Sequence, residues 1–129
     1  MKLEIKYLAS YLPYKLKYKF ESEDFFHEVI GLDITNNPVK LISPFGDFGS
    51  CEINVGKPIL FPLSQFVKFT FPREVEEYLL YYSADFILNQ TNRLAYFIIQ
   101  EFLSNKIDVF GLIEAGLAEP VTEDFNPYK

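Results

Sequence analysis

The spacing of apolar residues along the chain predicts strands first and helices afterwards. Leu3, Tyr7, Leu8, Tyr11 and Leu12 recur at helical spacing, so a short amphipathic helix is expected over residues 3–10, with Pro13 ending the run. Lys15-Leu16-Lys17-Tyr18-Lys19-Phe20 then alternates strictly. That period fits a half-buried strand, with Leu16, Tyr18 and Phe20 on one face and three lysines on the other. Beyond a polar turn at 21–24, a second strand is expected over 25–34, with Ile30, Leu32 and Ile34 sharing a face. Antiparallel pairing would bring the lysine face to Glu28 or to Asp33, according to register. Asn36-Asn37-Pro38 marks a turn, and short strands are expected over 39–42 and 51–55. Prolines bracket 58–62, which suits an edge strand, and 63–66 suits a single helical turn.

The period turns helical from Pro72. This proline and Glu74, Glu76 and Glu77 suit a helix start, and Val75, Leu79, Tyr82 and Phe86 form one stripe. A second helix is expected after Thr91 with Leu94, Phe97, Ile98 and Phe102 facing inward; residues 89–92 are a connector or the polar middle of one long helix. Asp108 is placed to cap a short helix through Ala115, with Gly116 as its stop. The implied fold is α+β: a small antiparallel sheet of four or five strands in the N-terminal half, packed against two long helices and a short C-terminal helix. Residues 1–118 read as one domain, and the acidic, proline-containing 119–129 as a frayed tail.

Composition supplies the core and removes several chemistries. Hydrophobic residues make up 49% of the 129 and aromatic ones 18%, all Phe and Tyr, which is far from a disordered composition. Cys51 is the only cysteine, which excludes an internal disulfide and a thiolate zinc site and points to a cytoplasmic setting. Its alternation with Ile53 and Val55 makes it a core thiol rather than a nucleophile. With His27 the only histidine, most zinc sites and Ser/His or Cys/His pairs lack their partner. His27 and Glu28 fall on opposite faces of a strand and do not meet there. The start of the chain has no apolar run of signal-peptide length, and polar residues interrupt the hydrophobic 78–103, so neither export nor a membrane span is expected.

Net charge is −6, with +4 on residues 1–20 and therefore −10 on the rest. An acidic body argues against nonspecific nucleic-acid binding. Lys15, Lys17 and Lys19 could track a phosphate backbone, but Tyr18 faces away from them, so solubilising one side of a strand is the simpler reading. Glu74, Glu76, Glu77 and Asp85 lack the histidines that carboxylate metal sites in bundles add, and read as solvated helix-start acids. Asp47-Phe48-Gly49 spells the metal-binding tripeptide of protein kinases without the glycine-rich loop, strand lysine or catalytic loop. No catalytic, cofactor-binding or metal-binding set emerges.

Two aromatic groups remain as candidate protein-binding residues. Phe45 and Phe48 flank turn-forming glycines and either pack beneath a hairpin turn or stand out as a binding tip. Tyr78, Tyr81 and Tyr82, with Tyr96 further on, have the spacing of an aromatic helix stripe, which is either core or covered by another chain.

Tyr11-Leu12-Pro13-Tyr14, the central Lys57-Pro58-Ile59-Leu60-Phe61-Pro62-Leu63-Ser64 and Ile107-Asp108-Val109-Phe110-Gly111-Leu112-Ile113-Glu114-Ala115-Gly116-Leu117-Ala118 resemble a group of uncharacterised small proteins of Bacteroidetes genomes and their phages or prophages. The resemblance implies a mobile-element origin and a cytoplasmic setting, and brings no activity or site. The residues themselves favour a small, non-catalytic, self-associating protein-interaction module with an unidentified protein partner. The alternatives are an acidic inhibitor or decoy of a basic host protein, and an enzyme using carboxylates, tyrosines and lysines alone.

Overall fold

A computed structural model describes residues 3–20, 26–35, 39–43, 46–53 and 56–128, with the backbone alone at 26, 43, 46–52 and 92. The fold is mixed α and β, as the pattern implies, but its strands form two sheets rather than one. The four-stranded sheet has the order β2 (Phe26–Glu28), β1 (Lys17–Phe20), β6 (Gly56–Leu60), β7 (Glu119–Pro120); the three-stranded sheet has the order β3 (Gly31–Asp33), β4 (Lys40–Ser43), β5 (Gly46–Glu52). All pairs are antiparallel except β6 with β7.

The single strand expected over 25–34 is divided between these sheets. The Val29 amide donates to the Leu16 carbonyl at 2.8 Å, and the next amide, Ile30, donates to Ile42 at 2.8 Å. Consecutive residues thus bond to different sheets, and the period-2 pattern carries no mark of that change. Lys17 lies opposite Glu28, while Asp33 lies opposite Lys40 in the other sheet, which settles the register left open above. Residues 46–50 belong to β5, although their glycines suggest a turn. The 58–62 segment contributes to a central strand instead of an edge. Val121 donates to the Leu60 carbonyl, so Leu60, and by alternation Pro58, turns its backbone towards β7. Pairing with β7 begins only at Ile59, so the missing proline N–H interrupts no ladder bond.

The helical half is cut into shorter pieces than its periodicity suggests. α1 covers Ile5–Ala9, followed by a 3-10 turn over Leu12–Tyr14; another covers Leu63–Lys68. In place of two long helices stand α2 (Arg73–Leu80), α3 (Ala84–Asn89) and α4 (Tyr96–Ser104), with a 3-10 turn over Thr91–Arg93. Ser83 starts α3 anew: its hydroxyl accepts the Phe86 amide at 3.1 Å, a serine N-cap. No helix forms after Asp108. Gly111 adopts φ +74° and the following turn closes on Gly116 at φ +77°, with Leu117 donating to Leu112 and Gly116 to Ile113. That pair of bonds is the Schellman closure, so Gly116 stops a turn where a helix was expected. No helix among the described residues is long and apolar enough to cross a membrane.

Two apolar clusters meet near the middle of the molecule. The first joins α1, the sheets and the C-terminal turn through Leu8, Tyr11, Leu16, Tyr18, Leu41 and Leu112; the second joins α2 to α4 through Phe66, Phe71, Val75, Ile98, Phe102 and Ile107. Phe61 links them, because its amide donates to the Lys106 carbonyl at 2.8 Å and its carbonyl accepts from Asp108 at 2.9 Å. The buried Tyr11 hydroxyl donates to the Ile107 carbonyl at 2.6 Å and accepts the Val109 amide at 3.2 Å. Tyr18, also buried, donates to the Ile53 carbonyl beyond β5 and so ties the two sheets together.

The tail expected to fray is docked over residues 119–128. β7 extends the sheet, Val121 is buried, and the Tyr128 hydroxyl donates to Ile59 at 2.7 Å while accepting the Lys17 amide at 2.9 Å. The lysine face of β1 is what this segment covers. Lys17 Nζ donates to the Pro127 carbonyl at 2.6 Å, and Lys19 Nζ sits 5.2 Å from the Phe125 ring. Lys106 lies 4.8 Å over the Tyr128 ring; burial, then the charges of Lys17 and Lys15, hold its pKa below the ordinary lysine value.

Replacing Tyr11 by Phe leaves the Ile107 carbonyl and Val109 amide without this partner, and should lower unfolding free energy by about 1–3 kcal/mol. A Cβ on Gly56 would lie 2.6 Å from the Lys19 carbonyl oxygen and 2.8 Å from a Phe20 ring carbon. Gly56→Ala should therefore cost about 1–3 kcal/mol through overpacking. Urea unfolding followed by circular dichroism measures both.

Candidate protein-docking face

Helices α2 to α4 bring a run of aromatic rings to the surface. Val75 turns into the second cluster, at 3% exposed, and fixes the rotation of α2. Tyr78 and Tyr82, three and seven residues on, then lie along one edge of the helix. Tyr82 stacks on Phe86 of α3 at 4.8 Å between ring centroids and contacts Tyr78 at 4.9 Å; Tyr78 meets Phe97 of α4 edge-on at 5.5 Å. The row Phe86–Tyr82–Tyr78–Phe97 therefore crosses three helices. Its anchor is the Tyr78 hydroxyl, which accepts the Ala95 amide at 3.3 Å at the start of α4.

Several large apolar residues on these helices are open to solvent. Leu80 is 85% exposed, Tyr81 86% and Tyr96 77%, while Phe97 and Tyr82 are exposed to 42% and 37%. These five are more than half of the nine large hydrophobic residues exposed among the described residues, so the apolar surface is concentrated here. The Tyr82 hydroxyl is raised above the ordinary tyrosine pKa, first by hydrogen bonding with Tyr78 and then by that phenol's charge.

Of the residues singled out above, Tyr78, Tyr81 and Tyr82 are thus brought together, with Tyr78 and Tyr82 in the ring row and Tyr81 standing outside it. Phe45 and the Phe48 side chain lie outside the described residues, as does the Cys51 side chain. Periodicity missed Leu80, which sits beside Leu79 but off the buried stripe, and placed Phe97 inward. Leu94, Ile98 and Phe102 are buried as expected, but Phe97 is rotated towards α2 and the surface. Tyr96, noted for its residue type, gives no periodic signal because it precedes Phe97 at the first turn of α4.

The acids have local partners. A Glu76 carboxylate oxygen accepts the Phe71 amide at 2.9 Å, and Glu77 pairs with Arg73 at 2.9 Å across one helical turn. No group of three metal-ligating side chains converges among the described residues. His27 lies opposite Tyr18 with its ring 5.6 Å from that of Phe20, in a half-buried strand position.

A separate groove of about 440 Å³ opens between the start of the 3-10 turn at Leu63 and the 108–114 turn, lined by Pro62, Leu63, Leu88, Val109 and Phe110. Asp108 lies in its wall, with both carboxylate oxygens occupied by the Leu112 amide at 2.9 Å and the Ile113 amide at 2.8 Å. That carboxylate orders the turn. Burial pushes the Tyr11, Tyr18 and Tyr128 hydroxyls well above the ordinary tyrosine range, which suits them as structural hydrogen-bond partners and not as bases near neutrality. No known family model, curated protein or solved structure matches the chain.

The two buried phenols and the half-buried Tyr128 set an alkaline limit. The folded chain keeps protons that the unfolded chain releases above about pH 10, so stability is intact below that pH and falls as pH rises through it. Urea midpoints should decline above about pH 10, and tyrosinate absorbance should show a late step coincident with unfolding.

Proposed function

We propose that this protein is a small non-catalytic interaction module whose docking face is the aromatic surface of α2 to α4. The observation that carries this reading is the concentration of exposed apolar area. Leu80, Tyr81 and Tyr96 are each more than three-quarters exposed on the helices that carry a row of rings in contact. Exposed single residues are ordinary, whereas a contiguous aromatic patch on a monomer marks a binding surface. Tyrosine suits that use because it buries a large rigid area while its hydroxyl keeps a partner. A cytoplasmic setting and a phage or prophage origin complete the proposal, the last from the sequence resemblance; a second copy of the chain is one occupant this face could take.

A second reading, an acidic inhibitor or decoy of a basic protein, is favoured by the carboxylates around the same face. Glu74, Glu76, Glu77 and Asp85 are all exposed. Both readings use one surface and differ in the partner.

A photo-crosslinking residue at Tyr81, introduced in the native cells, should give a discrete adduct, whereas the same residue at Ile34, 68% exposed beyond β3, should not. The double substitution Leu80→Ser with Tyr81→Ser should abolish the adduct from a probe at Tyr96 while changing stability by no more than about 0.5 kcal/mol, as at other exposed sites. Adducts from Ile34 and none from Tyr81 would move the docking face elsewhere.

A further inference from the structure

The same face specifies the chemistry of its occupant, and this inference rests on the docking reading above. Between residues 73 and 101 the chain carries five carboxylates and two arginines. One arginine, Arg73, pairs with Glu77 at 2.9 Å, an exposed contact that contributes little and that an incoming cation can replace. Glu77 and Tyr81 are four residues apart and Glu74 precedes Tyr81 by seven, so both carboxylates flank the exposed ring on the outer side of α2. Glu76 stands in the same relation to Leu80, and Glu101 to Phe97 on α4. Each exposed apolar residue named here therefore has a carboxylate one turn away on its own helix.

Carboxylates and phenol faces recognise the same thing. A guanidinium or ammonium pairs with the former and stacks on the electron-rich face of the latter, while its alkyl stem covers apolar surface. A second copy meeting this face across a two-fold axis would set the same acidic rim against itself. We infer that the occupant is a cationic amphipathic segment of a different protein, its apolar side chains seated on Leu80 and Tyr81 and its arginines or lysines set against Glu74 and Glu77. Charge complementarity selects this occupant over self-association, because like charges across an interface penalise the symmetric pairing.

The probe is a synthetic amphipathic helix of leucine and arginine, compared with its leucine and glutamate counterpart, titrated calorimetrically into the full chain at low and moderate salt. The basic peptide is expected to bind, to weaken on adding salt, and to weaken about fivefold or more with Glu74→Gln and Glu77→Gln together. Binding should be lost with Leu80→Ser and Tyr81→Ser, whose thermal melts show whether the fold is retained. A folded double variant that still binds the basic peptide would place its site elsewhere and overturn the inference. Equal binding of both peptides would overturn the charge argument and leave the apolar face standing. A concentration-dependent dimer by light scattering, abolished by Leu80→Ser and Tyr81→Ser, would make the occupant a second copy and overturn this inference while supporting the docking reading. A chain that stays monomeric and binds neither peptide would overturn both.

Discussion

The Tyr11 hydroxyl ties the sheet-side core to the segment that leads out of the helical one. Itself part of the first apolar cluster, Tyr11 donates to Ile107 and accepts from Val109, both of which pack in the helical cluster. Its ring stands edge-on to Phe110 at 6.0 Å, so the polar contact and the aromatic packing fix the same segment. That segment also carries the Phe61 backbone pairing, which continues from β6. A buried phenol with its donor and acceptor roles both used is costly to displace, since each partner would lose a bond away from water.

The C-terminal segment illustrates how a surface pattern can be absorbed by a later part of the chain. Three outward lysines on one strand suggest a solvated face, and an acidic, proline-bearing end suggests a loose tail. Together they form a docked strap, because ammonium groups also pack over aromatic rings and donate to backbone carbonyls. Pro127 is buried under this arrangement and Tyr128 closes it with two backbone contacts to strands that are distant in sequence.

The aromatic surface of α2 to α4 is the reverse case. Here side chains that could complete a core remain outside, because α2 ends at Leu80 and α3 begins again at Ser83. Tyr81, six residues on from Val75, lies off the stripe that runs from Val75 through Tyr82 to Phe86. One long helix would have continued the row along a single axis. Three short ones carry it across three helix axes.

By itself the sequence determined the local grammar. Strict alternation in β1, the glycine stop at Gly116, the burial of Leu94, Ile98 and Phe102, and the aromatic interest of Tyr78, Tyr81 and Tyr82 are all legible, since each depends on neighbours within one or two turns. Only the tertiary structure decided the long-range matters. The switch of sheets between Val29 and Ile30, the central place of β6, the capture of the C-terminal segment and the outward turn of Phe97 each depend on a partner far along the chain. Periodicity reports which face of an element is apolar. It does not report what that face meets, because a buried position and an interface position present the same side chains to the sequence.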